Sequence, residues 1–200
     1  MEPFTYPNTP HVRRHGPRGY SDYQSFQPWL RDEFTFRCVY CLTRERWHKG
    51  KYGFQVDHVI PKGKSSLHAV DYNNLVYACE TCNEMKSDAD GFRGPCETAY
   101  RECLQVQEDG TIVALNPEGQ VLIQVLRLDN AENTQFRRLM LEVISLAHEK
   151  DAAMHSRLMG FPDDLPDLAR RRPPGGNSRP EGIRESCHAR RVRKELPDTY

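Results

Sequence analysis

The sequence has no long hydrophobic run. Its most apolar stretch lies around Val121 to Leu126. That is far short of the roughly 20 residues a helix needs to span a bilayer, so neither a spanning segment nor a membrane partner is expected. The opening, Met-Glu-Pro-Phe-Thr-Tyr-Pro, lacks the apolar segment that follows the first charges of an export signal. A cytoplasmic location is therefore expected. Net charge is missing too, because 28 Lys and Arg balance 28 Asp and Glu. No internal repeat is present. The seven cysteines do not make an even set, and without an export signal a disulfide framework is not expected.

What is present fits one small soluble domain with tails. The chain has 200 residues, 38% of them hydrophobic and 28% charged, which allows a modest core under a wet surface. The charge is unevenly spread. Seven Lys or Arg face two acids between Arg37 and Lys64, and nine face three between Arg170 and Glu195. These local patches suit a polyanion partner, or are merely solvated surface.

Four segments follow from the local patterns. Residues 1–21 hold four prolines among basic residues and read as a mobile basic arm. Residues 22–95 read as the functional domain. Tyr23, Phe26, Trp29, Leu30 and Phe34 recur at helical spacing, with Pro28 placing the helix start near Gln27. Phe54, Val56 and Val59 predict a strand ending at Pro61, and Lys62 to Asn74 a polar loop. Leu75 to Cys79 predicts a second strand, and Glu80 to about Ser87 a helix. Residues 96–160 read as an accessory region. Turns at Asp109-Gly110 and Asn116-Pro117-Glu118-Gly119 predict a three-stranded meander whose last strand is Gln120 to Leu126. Asn130 then caps a long helix with an apolar stripe through Phe136, Met140, Ile144 and Ala147. Residues 161–200, rich in Pro, Gly and Arg, read as a tail. The fold class expected is α+β.

Cysteine spacing carries the strongest signal. Cys38-x-x-Cys41 and Cys79-x-x-Cys82 each place two thiolates to converge on one metal ion. Two such pairs complete a closed tetrahedral shell, which points to structural zinc. Cys96, Cys103 and Cys187 lack ligand spacing. Thirty-seven residues separate the two pairs, more than the roughly 15 to 20 of a simple zinc ribbon. That insertion carries Asp57-His58 and Asn74, and Asn83 follows Cys82 directly. A hard carboxylate, an amide oxygen and an imidazole suit metal-assisted phosphodiester hydrolysis. Asp57 and Asn83 are candidate ligands for Mg²⁺ or Mn²⁺. His58 is the candidate general base, and Asn74 the residue expected to fix its tautomer. Lys86, Lys62 and Lys64 are candidate phosphate contacts. Taken singly, each of these residues has a plainer reading as a turn, a cap or polar surface.

At these residues the sequence resembles the HNH endonuclease family. The matching text is Cys38-x-x-Cys41, Asp57-His58-Val59-Ile60-Pro61, Asn74-Leu75-Val76 and Cys79-x-x-Cys82-Asn83-x-x-Lys86. The resemblance implies a small ββα-metal core, an antiparallel hairpin and a helix around one divalent ion. It implies cleavage of DNA, sometimes RNA, with His58 as general base, Asn74 as the central asparagine, and Asp57 and Asn83 as metal ligands. The third signature position holds asparagine instead of histidine, and an amide oxygen favours Mg²⁺ or Mn²⁺ over softer ions. Two other readings fit the same motifs. One is a catalytically silent zinc module that binds nucleic acid or protein. The other is a nuclease effector that fires only with a partner protein, as in an antiviral defence or restriction complex. The full set of Asp57, His58, Asn74 and Asn83 favours the enzyme, since a pure binding module needs none of them.

Overall fold

The computed structural model describes residues 3–64 and 68–200. Met1 and Glu2 of the expected arm, and Ser65, Ser66 and Leu67 of the expected polar loop, lie outside the described residues. Two strands form the central hairpin. β1 (Phe54–His58) pairs antiparallel with β2 (Leu75–Cys79), with Phe54 opposite Cys79 and His58 opposite Leu75. All five β2 residues are buried, which suits a short strand covered on both faces. The helix α2 (Glu80–Lys86) starts where β2 ends, so the expected ββα order is present. Among the described residues no helix is long and apolar enough to cross a membrane.

The helix α1 (Gln27–Glu33) covers the hairpin through Trp29 and Leu30, both fully buried. Pro28 sits in its first turn, where a missing N–H costs nothing. A 3₁₀ turn at Tyr23–Phe26 precedes it, capped by Asp22, which accepts a hydrogen bond from Gln24 N. The helix starts at Gln27, as Pro28 implies, and the front of the stripe is the 3₁₀ turn.

The accessory region departs from the expected meander. A short helix α3 (Tyr100–Cys103) leads into β3 (Leu104–Val106), which among the described residues pairs only with β4 (Ile112–Ala114). Gly110 makes their turn at φ +82°, where an added Cβ would crowd the backbone of Arg138 and Thr134. The predicted third strand is a helix instead, α4 (Pro117–Leu126). Asn116 caps it by accepting from Gly119 N at 2.9 Å, and Pro117 occupies its first turn. Those residues are a helix start as well as a turn signal, and Leu122 and Leu126 bury one helical face. The long helix α5 (Ala131–Lys150) is capped by Asn130 as expected, and α6 (Ala152–Met159) extends it. One continuous core cluster joins residues of the hairpin, the arm and the accessory helices.

Among the described residues neither end segment is loose. Phe4 packs on Trp47, and Tyr6 Oη donates to Tyr40 O at 2.6 Å. The tail forms α7 (Glu181–Arg184) and α8 (Cys187–Val192). Cys187 N donates to Asp32 Oδ1 at 2.7 Å, and the Arg44 guanidinium lies 4.2 Å from the Tyr200 ring centroid. Arm and tail meet at Pro17 and Asn177. The physical reason is mutual cover. Each segment buries a few scattered residues against the other and against α1, so neither shows a periodic face of its own.

α1 ends on a buried acid. The Glu33 carboxylate accepts from the N–H groups of Arg14 and His15, from the Tyr72 hydroxyl and from the His11 ring. Burial alone would raise its pKa. The His11 hydrogen bond, the nearby His15 and the Arg14 N–H outweigh burial and hold it at about 2. A folded pKa below the unfolded one contributes stability above about pH 4.5, and this is lost as pH falls toward 2. The contribution is on the order of 3 kcal/mol. Urea unfolding at pH 6 and pH 3 should show that loss, and Glu33→Gln should shrink the difference between the two.

Candidate metal centre and nuclease site

The four cysteines converge. Cys38 and Cys41 lie on a tight knuckle, closed by Cys38 N to Thr43 O (2.8 Å) and Leu42 N to Cys38 O (3.0 Å). Val39 N donates to Tyr77 O at 3.0 Å and ties the knuckle to β2. Cys79 ends β2, and its Sγ accepts from Cys82 N in the first turn of α2. All four Sγ atoms are buried and lie within 4.8 Å of one another, with Cys41 and Cys79 3.6 Å apart. Zn–S bonds of about 2.3 Å in a tetrahedron require sulfurs roughly 3.8 Å apart, so this donor set fits zinc. Hydrogen bonds from the other three thiols let Cys41 ionise well below the usual thiol range, while Cys79 and Cys82 are pushed up.

The second set of residues lies on β1, on the turn before β2 and on α2. Asp57 is buried at 3% exposure. Its Oδ1 accepts from His58 N (2.7 Å) and Lys86 Nζ (3.1 Å), and its Oδ2 accepts from Tyr40 Oη (2.6 Å). Burial pushes its pKa up, and Lys86, Tyr40 and the His58 N–H pull it back. A carboxylate has about four lone-pair sites, so one remains, on Oδ2. Asn83 lies on the same side of β1. Its Nδ2 donates to Gln55 Oε1 at 2.8 Å, and Gln55, two residues before Asp57, shares its face. Asn83 Oδ1 accepts no hydrogen bond among the described residues. One carboxylate oxygen and one amide oxygen suit a hard divalent ion that keeps several waters.

His58 is the last residue of β1, so its ring leaves from the opposite face at the strand's end. Its Nε2 is 2.9 Å from Ala69 O. A carbonyl only accepts, so Nε2 carries the proton and Nδ1 is the acceptor of the neutral ring. The Tyr23 ring packs edge-to-face against it at 4.8 Å.

Two expectations need correction. Asn74 does not touch the His58 ring. Its Oδ1 accepts from Ile60 N, and its Nδ2 donates to Ile60 O and His68 O. It braces the loop after His58 against the segment that carries Ala69, and the Ala69 carbonyl sets the tautomer. Lys86 does not reach out to phosphate. It is 1% exposed, and its ammonium also donates to His58 O at 2.6 Å. A buried ammonium beside a buried carboxylate is an internal brace. Lys64 is exposed but paired with Asp90 at 2.6 Å, whereas Lys62 is exposed with no carboxylate partner among the described residues.

Sequence reasoning missed Tyr40, Gln55, Tyr23 and Ala69. Tyr40 lies inside the first Cys-x-x-Cys spacer, where its hydroxyl joins the zinc knuckle to Asp57. Gln55 was within reach, since it precedes Asp57 by one strand period. Comparison with curated proteins gives no match for this chain. Residues 38–89, the segment that holds both the cysteine clamp and Asp57–His58, match the family model for HNH endonuclease, and an HNH domain here implies a nuclease-type function.

Proposed function

We propose that the protein is a metal-dependent endonuclease that hydrolyses phosphodiester bonds in DNA, acting in the cytoplasm. The observation that carries this reading is the His58 ring. Its Nε2 is committed to Ala69 O, which leaves Nδ1 as a base at the end of the strand that also holds Asp57. His58 Nδ1 takes a proton from the attacking water. Ala69 O holds the imidazolium that results, and Asn74 keeps the two loops in register. Asp57 and Asn83 would hold Mg²⁺ or Mn²⁺, which supplies charge stabilisation to the phosphate and the leaving oxygen. Tyr40 and Lys86 fix the Asp57 rotamer, so one of its lone pairs is left for the ion. The four-cysteine zinc site positions Asn83, through the adjacent Cys82, and Tyr40.

The test is cleavage of plasmid DNA, single-stranded DNA and RNA by the zinc-loaded protein, with Mg²⁺, with Mn²⁺ and with EDTA. Cleavage of DNA in either metal and none in EDTA is expected. A zinc-loaded chain that cuts none of the three substrates would count against the enzyme and for the silent module.

A further inference from the structure

One contact at the site comes from outside the HNH segment. The 3₁₀ turn Tyr23–Phe26 is anchored by Phe26, which is fully buried against Tyr20 and Tyr72. That anchor delivers Tyr23 to the hairpin end. The Tyr23 ring meets the His58 ring at 4.8 Å with a 68° tilt, and the Lys62 ammonium lies over the same ring, 5.4 Å from its centroid. Lys62 is exposed, and among the described residues no carboxylate pairs with it. The Tyr23 hydroxyl has no hydrogen-bond partner among them either. An aromatic face attracts a cation through its quadrupole. An otherwise unpaired lysine on a flexible stem is thereby held beside the base.

We propose that Tyr23 is a positioning residue of the site, holding the Lys62 ammonium and the His58 imidazole on one ring so that a single backbone phosphate of the nucleic acid meets both. This rests on the nuclease reading, and it identifies Lys62 as the lysine that engages that phosphate. Lys64 is neutralised by Asp90, and Lys86 is buried. The ligand class is a phosphodiester backbone. The contact contributes affinity without sequence preference.

The experiment measures binding of a fluorescent DNA duplex in EDTA, where cleavage does not interfere. The proteins are wild type, Tyr23→Leu, Tyr23→Phe, Lys62→Ala and the Tyr23→Leu/Lys62→Ala double variant. Leucine fills the space, so the fold persists, but it offers no aromatic face. Tyr23→Leu and Lys62→Ala should each weaken binding about three- to tenfold. Each should also lower the salt slope by about one. The double variant should bind no worse than the weaker single, because both changes remove one interaction. Tyr23→Phe keeps the ring and should stay within about twofold of wild type. In the cleavage assay Tyr23→Leu should raise KM as well as lower kcat, since it loosens both the phosphate contact and the base. Unchanged affinity in Tyr23→Leu, additive losses in the double variant, or no DNA binding by wild type would overturn the proposal. A wild type that binds with this pattern but never cuts sinks the nuclease reading and leaves the contact standing.

Discussion

The His58→Ala variant is expected to lose about 10²- to 10⁴-fold in DNA cleavage, the usual contribution of a positioned general base, while retaining all of its zinc. The imidazole touches Tyr23 and Ala69 O, and neither belongs to the cysteine shell. Its removal leaves the Ala69 carbonyl without a donor, at a cost of about 1 kcal/mol, too little to unfold a domain. The zinc site should not register the change, because the four Sγ atoms are held by the knuckle, β2 and α2. Plasmid nicking and metal analysis on the same preparation check both halves. Equal cleavage by wild type and variant would remove His58 from the mechanism. Loss of zinc with the cleavage would mean that the two sites are one.

A larger effect on stability is expected from the clamp. Cys79 is the joint between β2 and α2, and its Sγ caps the helix that carries Asn83 and Lys86. In Cys79→Ser, three thiolates remain and the hydroxyl is a poor zinc ligand. Structural zinc contributes on the order of 10 kcal/mol in small domains, comparable with the whole stability of a typical fold. The variant, and the wild type stripped by a strong chelator, should therefore lose cooperative thermal unfolding of the hairpin region. Restored zinc should rescue the wild type but not the variant. Circular dichroism melts with and without chelator provide the measurement. An unchanged midpoint after zinc removal would show that the clamp is not what holds the hairpin.

How much of this was legible in the sequence depends on the range over which each signal acts. The cysteine pairs were readable because ligand spacing is local and tetrahedral zinc demands it. β1, β2 and α2 were readable because short apolar runs met caps and turns at their ends. Asn116-Pro117 was ambiguous, since the same residues open a turn or cap a helix, and only the burial of Leu122 and Leu126 decides for α4. Lys86 reads as surface in the sequence because lysines usually lie there. Helical spacing puts it on the face of Asn83, and that was the available hint of its pairing with Asp57. The arm and tail could not be read locally. Pro17 meets Asn177, and His15 Nε2 lies 2.8 Å from Asp32 Oδ2, while Cys187 N donates to the other oxygen of that carboxylate. Those contacts join residues far apart in sequence, and no periodicity in either segment announces them. Tyr40 and Tyr23 were hidden for a related reason. An aromatic in a spacer or a stripe reads as core, and only the fold shows which hydroxyl or ring face turns toward a functional group.

A closed four-thiolate zinc site and a separate site at Asp57 and Asn83 for a hard divalent ion should give up their ions differently. Differential chelation tests this most directly. A brief EDTA treatment followed by desalting should abolish DNA cleavage and leave about one zinc per chain, as expected of a buried four-thiolate site. Mg²⁺ alone should then restore cleavage. Recovery that requires added zinc, or a fully active chain with no zinc bound, would contradict the account.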